Sequence, residues 1–385
     1  MVTIKCRVCG NNFFEEPLLR YENMPAVAQY LPDTESLKKD KGIDIEVCQC
    51  SGCGLVQLSN DPVAYYKEVI RSSAFSEEMK EFKLKQFKNF VEKYSLKNKK
   101  IVEIGCGNGE YLLLMQQSGV ESYGLEYSEE SVKECINQGL DVSGGFIEDS
   151  TYKINRAPFD AFFMLSFLEH LSDPNSVLRG IRNNLSDNAV GIIEVPNFDM
   201  ILKKNLFSEF TSDHLSYFTK ETLISTLRQN GFEIISCDSI WHDYILSAIV
   251  KKRDRLNLSQ FCKHKLKLKN EVEEYLSHFK KKGVAIWGAG HQALAVISLL
   301  GLSDKIKYVV DSAPFKQGKF TPVTHIPIVS PQTISTNPIE AVIVIGGSYS
   351  DEISKTIQQM QIEHPSKINL AILRDFGLEE IKDEE

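Results

Sequence analysis

Two cysteine pairs stand near the start of the chain, Cys6-Arg7-Val8-Cys9 and Cys50-Ser51-Gly52-Cys53. A C-x-x-C turn sets two thiolates on one side of a tight loop, and two such knuckles complete a tetrahedral S4 shell for zinc. Four protein ligands leave no open coordination position, so the metal they imply is structural. The roughly 40 residues between the knuckles exceed the usual zinc-ribbon gap. Cys48 is an alternative to Cys50, but the spacing to Cys53 favours Cys50. The other cysteines, Cys106, Cys135, Cys237 and Cys262, stand singly. In a reducing compartment clustered thiols serve as metal ligands rather than disulfides.

Three further groups of residues are suited to chemistry. Glu103-Ile104-Gly105-Cys106-Gly107-Asn108-Gly109 lies between an apolar run and a helical pattern. Glycines there let the backbone approach a ligand and turn into a helix N-terminus. Alone, the loop does not separate dinucleotide enzymes from other users of the same turn. Asp213-His214 sets a group that titrates near neutrality beside a carboxylate in the sequence. Gly288-Ala289-Gly290, at another strand-to-helix turn, presents backbone amides to an anion, with Lys316 and Lys319 as point charges that reach phosphates.

These groups need elements to hold them. Residues 1–64 are cysteine-rich and punctuated by turns, and Tyr65 to Lys93 reads as helix. Strand and helix patterns then alternate. KIVEI, SYGLEY, FDAFFMLSF and AVGIIEVPN are strands, and YLLLMQQSG and PNSVLRGIRNNL are helices. Such alternation predicts a parallel, doubly wound sheet. A charged helical stretch from Arg253 follows, and the pattern restarts with GVAIWGAGHQALAVISLLG, KIKYVVD, EAVIVIGGSYSDEISKTIQQM and KINLAIL. The expected domains are 1–64, 65–252 and 253–385. Phe162 and Phe163 are assigned to the core.

Composition bounds the rest. With 385 residues, 42% of them hydrophobic and 25% charged, the chain has material for two or three globular domains. A net charge of −8 and a pI near 5.6 speak against nucleic acid as partner. No apolar run approaches the length of a membrane span, and no secretory signal pattern opens the chain, so a cytoplasmic location and no membrane partner are expected.

Glu103 ahead of the glycines and Glu126 at the end of the next strand, about 17 residues on, resemble the class I S-adenosylmethionine-dependent methyltransferases. The resemblance implies that Glu103, Gly105, Cys106 and Gly107 hold the methionine part of the cofactor and Glu126 its ribose hydroxyls, with Tyr127 beside them. Gly145-Phe146 matches the loop that covers the adenine. Phe159-Asp160 through Leu165-Ser166-Phe167-Leu168-Glu169-His170 resembles the fourth-strand motif, with Leu165 and Ser166 at the cofactor.

The whole chain resembles the three-domain sugar C-methyltransferases that act on nucleotide-linked 4-keto-6-deoxy sugars. Cys6–Gly10, Met24-Pro25-Ala26-Val27-Ala28 and Cys50–Leu58 look like their N-terminal zinc-binding domain. Asp213–Phe218 resembles their central EHLSYF motif. Asp311–Pro322 and His325-Ile326-Pro327-Ile328 resemble their C-terminal signature. The resemblance implies an α/β protein in which a class I methyltransferase sheet is flanked by a small zinc-binding domain and a Rossmann-like domain. It further implies S-adenosylmethionine and zinc as cofactors and a nucleotide sugar as substrate. Methylation at carbon passes through an enolate, with His214 as base and Asp213 orienting it. Thr211, Gly288, Ala289, Gly290, Lys316 and Lys319 are the substrate-binding candidates. His170 has a structural or substrate-rim role.

Three positions depart from the family. Thr211 stands where its tyrosine belongs, Gly288–Ala293 lacks its lysine, and Arg71-Ser72-Ser73 replaces its Tyr-Ser-Ser. These departures keep open an O- or N-methyltransferase, a C-terminal domain without ligand, and a non-catalytic binding module. They leave the sugar, the nucleotide, the methylated atom and the oligomeric state undetermined.

Overall fold

The computed structural model describes residues 5–29, 31–68, 76–362 and 368–381. The chain forms two compact units, Met1–Arg255 and Leu256–Glu385. The predicted C-terminal boundary at 252/253 falls near their junction. No chain break at 64/65 separates the cysteine-bearing segment from the rest of the first unit.

In the first unit the strands are β1 Leu19–Met24, β2 Ile43–Gln49, β3 Val56–Leu58, β4 Lys100–Ile104, β5 Glu121–Glu126 and β6 Asp141–Gly144. They continue with β7 Phe159–Leu165, β8 Leu185–Pro196, β9 Ser216–Tyr217, β10 Phe232–Ile240 and β11 Ile245–Lys252. The helices are α1 Glu77–Lys93, α2 Glu110–Gln116, α3 Glu129–Asn137, α4 Pro174–Asn183, α5 Phe198–Lys204 and α6 Lys220–Gln229.

The large sheet runs β10-β11-β8-β7-β4-β5-β6. Strands β6, β5, β4, β7 and β8 pair in parallel, and β10 and β11 add an antiparallel hairpin at one edge. This is the class I methyltransferase order. Its ligand crevice lies at the carboxyl ends of the strands, where the order reverses at β4 and β7. Phe162 and Phe163, both fully buried, point to opposite faces of β7 and enter separate cores. Burying each contributes about 1.5–3 kcal/mol.

The sequence pattern did not resolve β10 and β11. Exposed polar residues alternate along FEIISCDSI, which pairs with β11 only at the sheet edge. Helix α1 starts at Glu77 rather than at Tyr65 because Ser76 accepts the amide of Met79 and so caps it. The Arg71–Ser73 segment lies outside the described residues.

The cysteine-bearing segment forms a smaller sheet, β1-β2-β3-β9. Its fourth strand is Ser216–Tyr217, more than 150 residues further along the chain. The small sheet is thus closed by the tail of the Asp213–Phe218 motif.

In the second unit the elements are α7 Ser259–Ser277, β12 Val284–Trp287, α8 His291–Leu300, β13 Ile306–Val310 and β14 Ile328–Val329. They end with α9 Thr333–Thr336, β15 Ala341–Val344, α10 Ser350–Ile362, β16 Asn369–Arg374 and β17 Gly377–Ile381. The sheet order β14-β13-β12-β15-β16-β17 is parallel up to the antiparallel β17, the Rossmann-like arrangement expected. Among the described residues no helix is long and apolar enough to cross a membrane.

Candidate active site and metal centre

At the switch point β4 runs into Gly105-Cys106-Gly107-Asn108-Gly109. Gly105, Gly107 and Gly109 all have positive φ (70°, 53° and 84°), a turn that other residues adopt only with strain. A Cβ on Gly105 would sit 3.1 Å from the Phe167 ring, whereas one on Gly107 would meet nothing within 4 Å among the described residues. The main chain at Gly107 therefore borders open space that a ligand can use.

Glu126, at the end of β5, accepts hydrogen bonds from the amides of Gly107 (2.8 Å) and Ser128 (2.9 Å). Burial pushes its carboxyl above the usual range, against the pull of those amides. Gly145 donates its amide to the Glu126 carbonyl at 2.8 Å, which brings the Gly145-Phe146 loop beside the end of β5. Phe146 stands 6.2 Å from Tyr127, 6.3 Å from Phe167 and 6.0 Å from Tyr66, all near edge-on. The Lys67 ammonium lies 4.8 Å from the Phe146 ring and 5.3 Å from that of Tyr127, and pairs with Glu148 at 2.5 Å. Such a wall holds a planar base and favours a cation.

The open backbone at Gly107, the carboxylate behind it and the aromatic wall fit S-adenosylmethionine. Ser166 is exposed at φ 50°, and Leu165 lies just beneath it in β7. Glu103 is buried in β4 behind the loop. The Cys106 side chain corrects the expectation for that residue. Its thiol turns inward against Gly124 and hydrogen-bonds with Cys135, which raises its pKa well above that of a free thiol. Only its main chain faces the loop.

Three titratable side chains gather immediately beyond β7. Leu168–His170 form one 3-10 turn right after Phe167. His170 places Nδ1 2.8 Å from the Asp213 carbonyl, its ring centre is 4.7 Å from that of His214, and its Nε2 lies 3.9 Å from Glu169 Oε1. One ligand-type atom from each of Glu169, His170 and His214 falls within 4.8 Å of the others. Glu169 is 1% exposed, and among the described residues neither of its oxygens has a hydrogen-bond partner. Desolvation pushes Glu169 up to about 8. It pushes His170 down to about 4 and, with His170 as neighbour, His214 down to about 3.

Asp213 departs from the expected role. Among the described residues it makes no hydrogen bond to the His214 ring. Its Oδ1 accepts the Tyr65 hydroxyl at 2.7 Å, while that hydroxyl accepts the Ala28 amide at 2.9 Å. Burial and the Asp213 carboxylate hold Tyr65 protonated, pushed up to about 12. Thr211 is clasped through its main chain: its amide donates to the Tyr217 hydroxyl at 3.0 Å. Tyr217 itself packs with Phe198 and Phe210.

The sequence reading passed over Glu169, Tyr65, Tyr66, Lys67 and Phe167. Glu169 stood inside a motif read for its histidine. Tyr65–Lys67 are drawn to the site by tertiary contacts that no local pattern encodes.

Cys6, Cys9, Cys50 and Cys53 converge elsewhere in the unit, in a core shared with Leu168 and Leu171. Sγ of Cys6 and Cys53 are 3.6 Å apart, those of Cys9 and Cys50 are 3.3 Å apart, and all four lie within 4.8 Å of one another. Zn–S bonds of about 2.3 Å in a tetrahedron require about 3.8 Å between sulfurs, so the set fits zinc. Gln57 donates its amide to Cys6 Sγ at 3.2 Å, an outer hydrogen bond typical of such centres. Cys48, on β2, is not in the cluster.

In the second unit the Gly288–Gly290 loop opens where the strand order reverses, between β12 and β15. Gly288 has φ 117°, and a Cβ would sit 2.3 Å from the Ile345 carbonyl oxygen, so only glycine fits. Asp311 Oδ2 accepts both the Ala289 amide and the Lys316 ammonium at 2.8 Å. Burial raises Asp311, but Lys316 and the amides of Ala313 and Ala289 outweigh it and hold the carboxyl below its usual range. Lys316 is therefore beside the loop but engaged. Lys319 is not brought there: it borders a 340 Å³ cavity with Phe320, Ile328 and Thr333, which none of Gly288, Ala289 and Gly290 lines.

The sheet order and its crevice define a class I methyltransferase. Residues 75–237 match the methyltransferase domain family, and residues 250–368 match the C-methyltransferase C-terminal domain family. The chain carries both of these domains and is an S-adenosylmethionine-dependent methyltransferase. It is similar to C-methyltransferase NovU of Streptomyces niveus, 21% identical over 384 residues that span 91% of each chain. A ubiquinone biosynthesis O-methyltransferase of Bordetella avium is 31% identical over 91 residues, 22% of this chain and 37% of its own. Among solved structures, an S-adenosylmethionine-dependent methyltransferase from Clostridium acetobutylicum covers 49% of this chain and 96% of its own, with 15% identity and TM-score 0.39. Magnesium protoporphyrin IX methyltransferase from Synechocystis covers 48% of this chain and 90% of its own, with 14% identity and TM-score 0.38.

Proposed function

We propose that this enzyme methylates carbon next to a ketone on a nucleotide-linked deoxysugar, and that Cys6, Cys9, Cys50 and Cys53 hold a structural zinc. The observation that carries the reading is the titratable cluster at Glu169, His170 and His214. It begins two residues after Phe167, the ring on which the cofactor loop packs. Carbon methylation needs a base beside the methyl donor to remove the α-proton, O-methylation uses one facing a hydroxyl, and the cluster supplies that base in either case. Similarity to a C-methyltransferase over nearly the whole chain agrees.

Bound S-adenosylmethionine supplies an electrophilic methyl group on a sulfonium. Gly105 and Gly107 would border its methionine part, Glu126 would accept from its ribose, and Tyr127, Phe146 and Phe167 would flank its base. His214, half-buried where His170 is buried, faces the substrate and takes the α-proton. Thr211 is a hydroxyl at the substrate side. Gly288, Ala289, Gly290 and Lys316 form an anion site suited to a nucleoside diphosphate.

The test is a screen of nucleotide sugars with isotopically labelled methyl donor, with the new methyl group located by NMR. A methyl on carbon supports the reading. A methyl on oxygen or nitrogen replaces it with the alternative that Thr211 keeps open.

A further inference from the structure

We propose that Glu169, and not Asp213, is the carboxylate partner of the catalytic histidine pair: a positioning residue that acts through His170 and His214 to hold the charge formed when the substrate proton is taken. The inference rests on the reading of His214 as base.

The geometry carries it. The Asp213 carboxylate is committed to Tyr65, and what Asp213 offers His170 is its main-chain carbonyl. A carbonyl only accepts, so His170 Nδ1 carries the hydrogen. The lone pair of Nε2 then faces Glu169 Oε1 across 3.9 Å. Two acceptors facing each other in a site closed to water need a proton between them. Among the described residues Glu169 has no other partner for either oxygen. His214, edge-on against His170, is the member of the trio that is open to a ligand. The 3.9 Å spacing exceeds a hydrogen bond, and catalytic contacts of this kind tighten when substrate binds.

One proton is therefore shared by the trio in the resting enzyme and must leave before catalysis. The substrate C–H bond then breaks, its proton goes to a ring nitrogen of His214, and the electron pair stays on carbon, delocalised onto the ketone oxygen. The new imidazolium faces a carboxylate instead of an apolar wall. That pair takes the methyl group while the carbon–sulfur pair leaves with the thioether, and His214 returns its proton to water. An imidazole that burial and His170 push down to about 3 is a weak base for this step, and a negatively charged neighbour raises it.

Besides Glu169, the titratable groups around the trio are Asp213 on the same loop as His214, Tyr217 on β9, and Tyr244 ahead of β11, whose hydroxyl donates to Glu209. Tyr217 and Tyr244 are both held protonated by burial and do not titrate near neutrality.

Glu169→Gln keeps the shape and removes the charge. Expected are a kcat lower by about tenfold or more, with KM and cofactor affinity within about twofold of wild type. The rise of kcat with pH, inflecting near 8 in the wild type, should be absent from the variant. Glu169→Asp should recover part of kcat and keep the inflection. A wild-type pH profile in Glu169→Gln overturns the inference, as does a requirement for added Mg2+ or Mn2+ that the variant abolishes, which would make the trio a cation site. Histidine-ring NMR across pH 6–10 needs no turnover and so separates this inference from the choice of substrate. A protonation step near 8 that senses both rings should vanish in Glu169→Gln, and identical titrations in the two proteins overturn it.

Discussion

Glu126 shows what a single side chain does at this site. Its carboxylate holds the glycine loop through the Gly107 amide, and in the proposed function it accepts from the cofactor ribose. Glu126→Ala should weaken S-adenosylmethionine binding by about 1.5–3 kcal/mol, the worth of a charge-assisted hydrogen bond, as measured by calorimetry. Unchanged affinity would remove Glu126 from the cofactor site. Glu126 was legible in the sequence because strand end and glycine loop are local patterns. Glu169 was not, since burial and the lack of a partner are properties of the folded chain. Its folded pKa lies above its unfolded one, so the folded state binds the proton more tightly. The stability this confers is complete below about 4.5 and lost as pH rises through about 8. Glu169→Gln should therefore gain in melting temperature relative to wild type on going from pH 5 to pH 9, by about 4 °C or more. A difference independent of pH would mean that Glu169 does not change protonation over that range.

At the scale of elements, the strand β9 joins two features that the sequence reading kept apart. Leu58 donates to the Leu215 carbonyl at 3.0 Å, and Leu215 donates to that of Glu169 at 2.9 Å. The loop carrying His214 is thus held between the cysteine-bearing sheet and the turn carrying Glu169 and His170. The knuckle is docked too: Asn175 of α4 and Gln229 of α6 both donate to the Val8 carbonyl. The cysteine spacing made the S4 shell legible, but a two-residue strand offers no pattern from which its pairing can be read. Metal analysis should find one zinc per chain, and Cys50→Ser or strong chelation should lower kcat as well as stability, because the support of β9 goes with the metal. Full activity without zinc would break this link. Elsewhere Lys83 of α1 pairs with Glu194 of β8, both about 1% exposed, with Gln86 and Ser247 on the same carboxylate. Lys83→Met should cost about 3–5 kcal/mol in denaturant unfolding by stranding a buried charge, and adding Glu194→Leu should recover most of it. Equal losses in the single and double variants would show that packing, not charge, dominates there.

At the scale of the whole molecule, two α/β units each build a glycine turn at the reversal of strand order, but they arm it differently. In the first, the loop borders open space and an aromatic wall. In the second, Asp311 already engages the loop amide of Ala289 and the ammonium of Lys316. The alternation of strands and helices made both sheets legible, and the Asp311–Pro322 signature was visible as residues. That Lys316 folds back onto Asp311 while Lys319 turns to another cavity depended on the loop's path. If the second unit holds a nucleoside diphosphate at Gly288–Gly290, the phosphates must compete with Asp311 for Lys316. Lys316→Ala should then weaken binding of the diphosphate by about tenfold, the loss of one charge-assisted contact of about 1.5 kcal/mol. Lys319→Ala should leave it unchanged, and Asp311→Asn, which frees the ammonium, should strengthen it. Calorimetry with a nucleoside diphosphate on the full chain reads all three. An effect of Lys319→Ala equal to that of Lys316→Ala would move the anion away from the glycine loop, and no binding by the wild type would leave the second unit without this ligand.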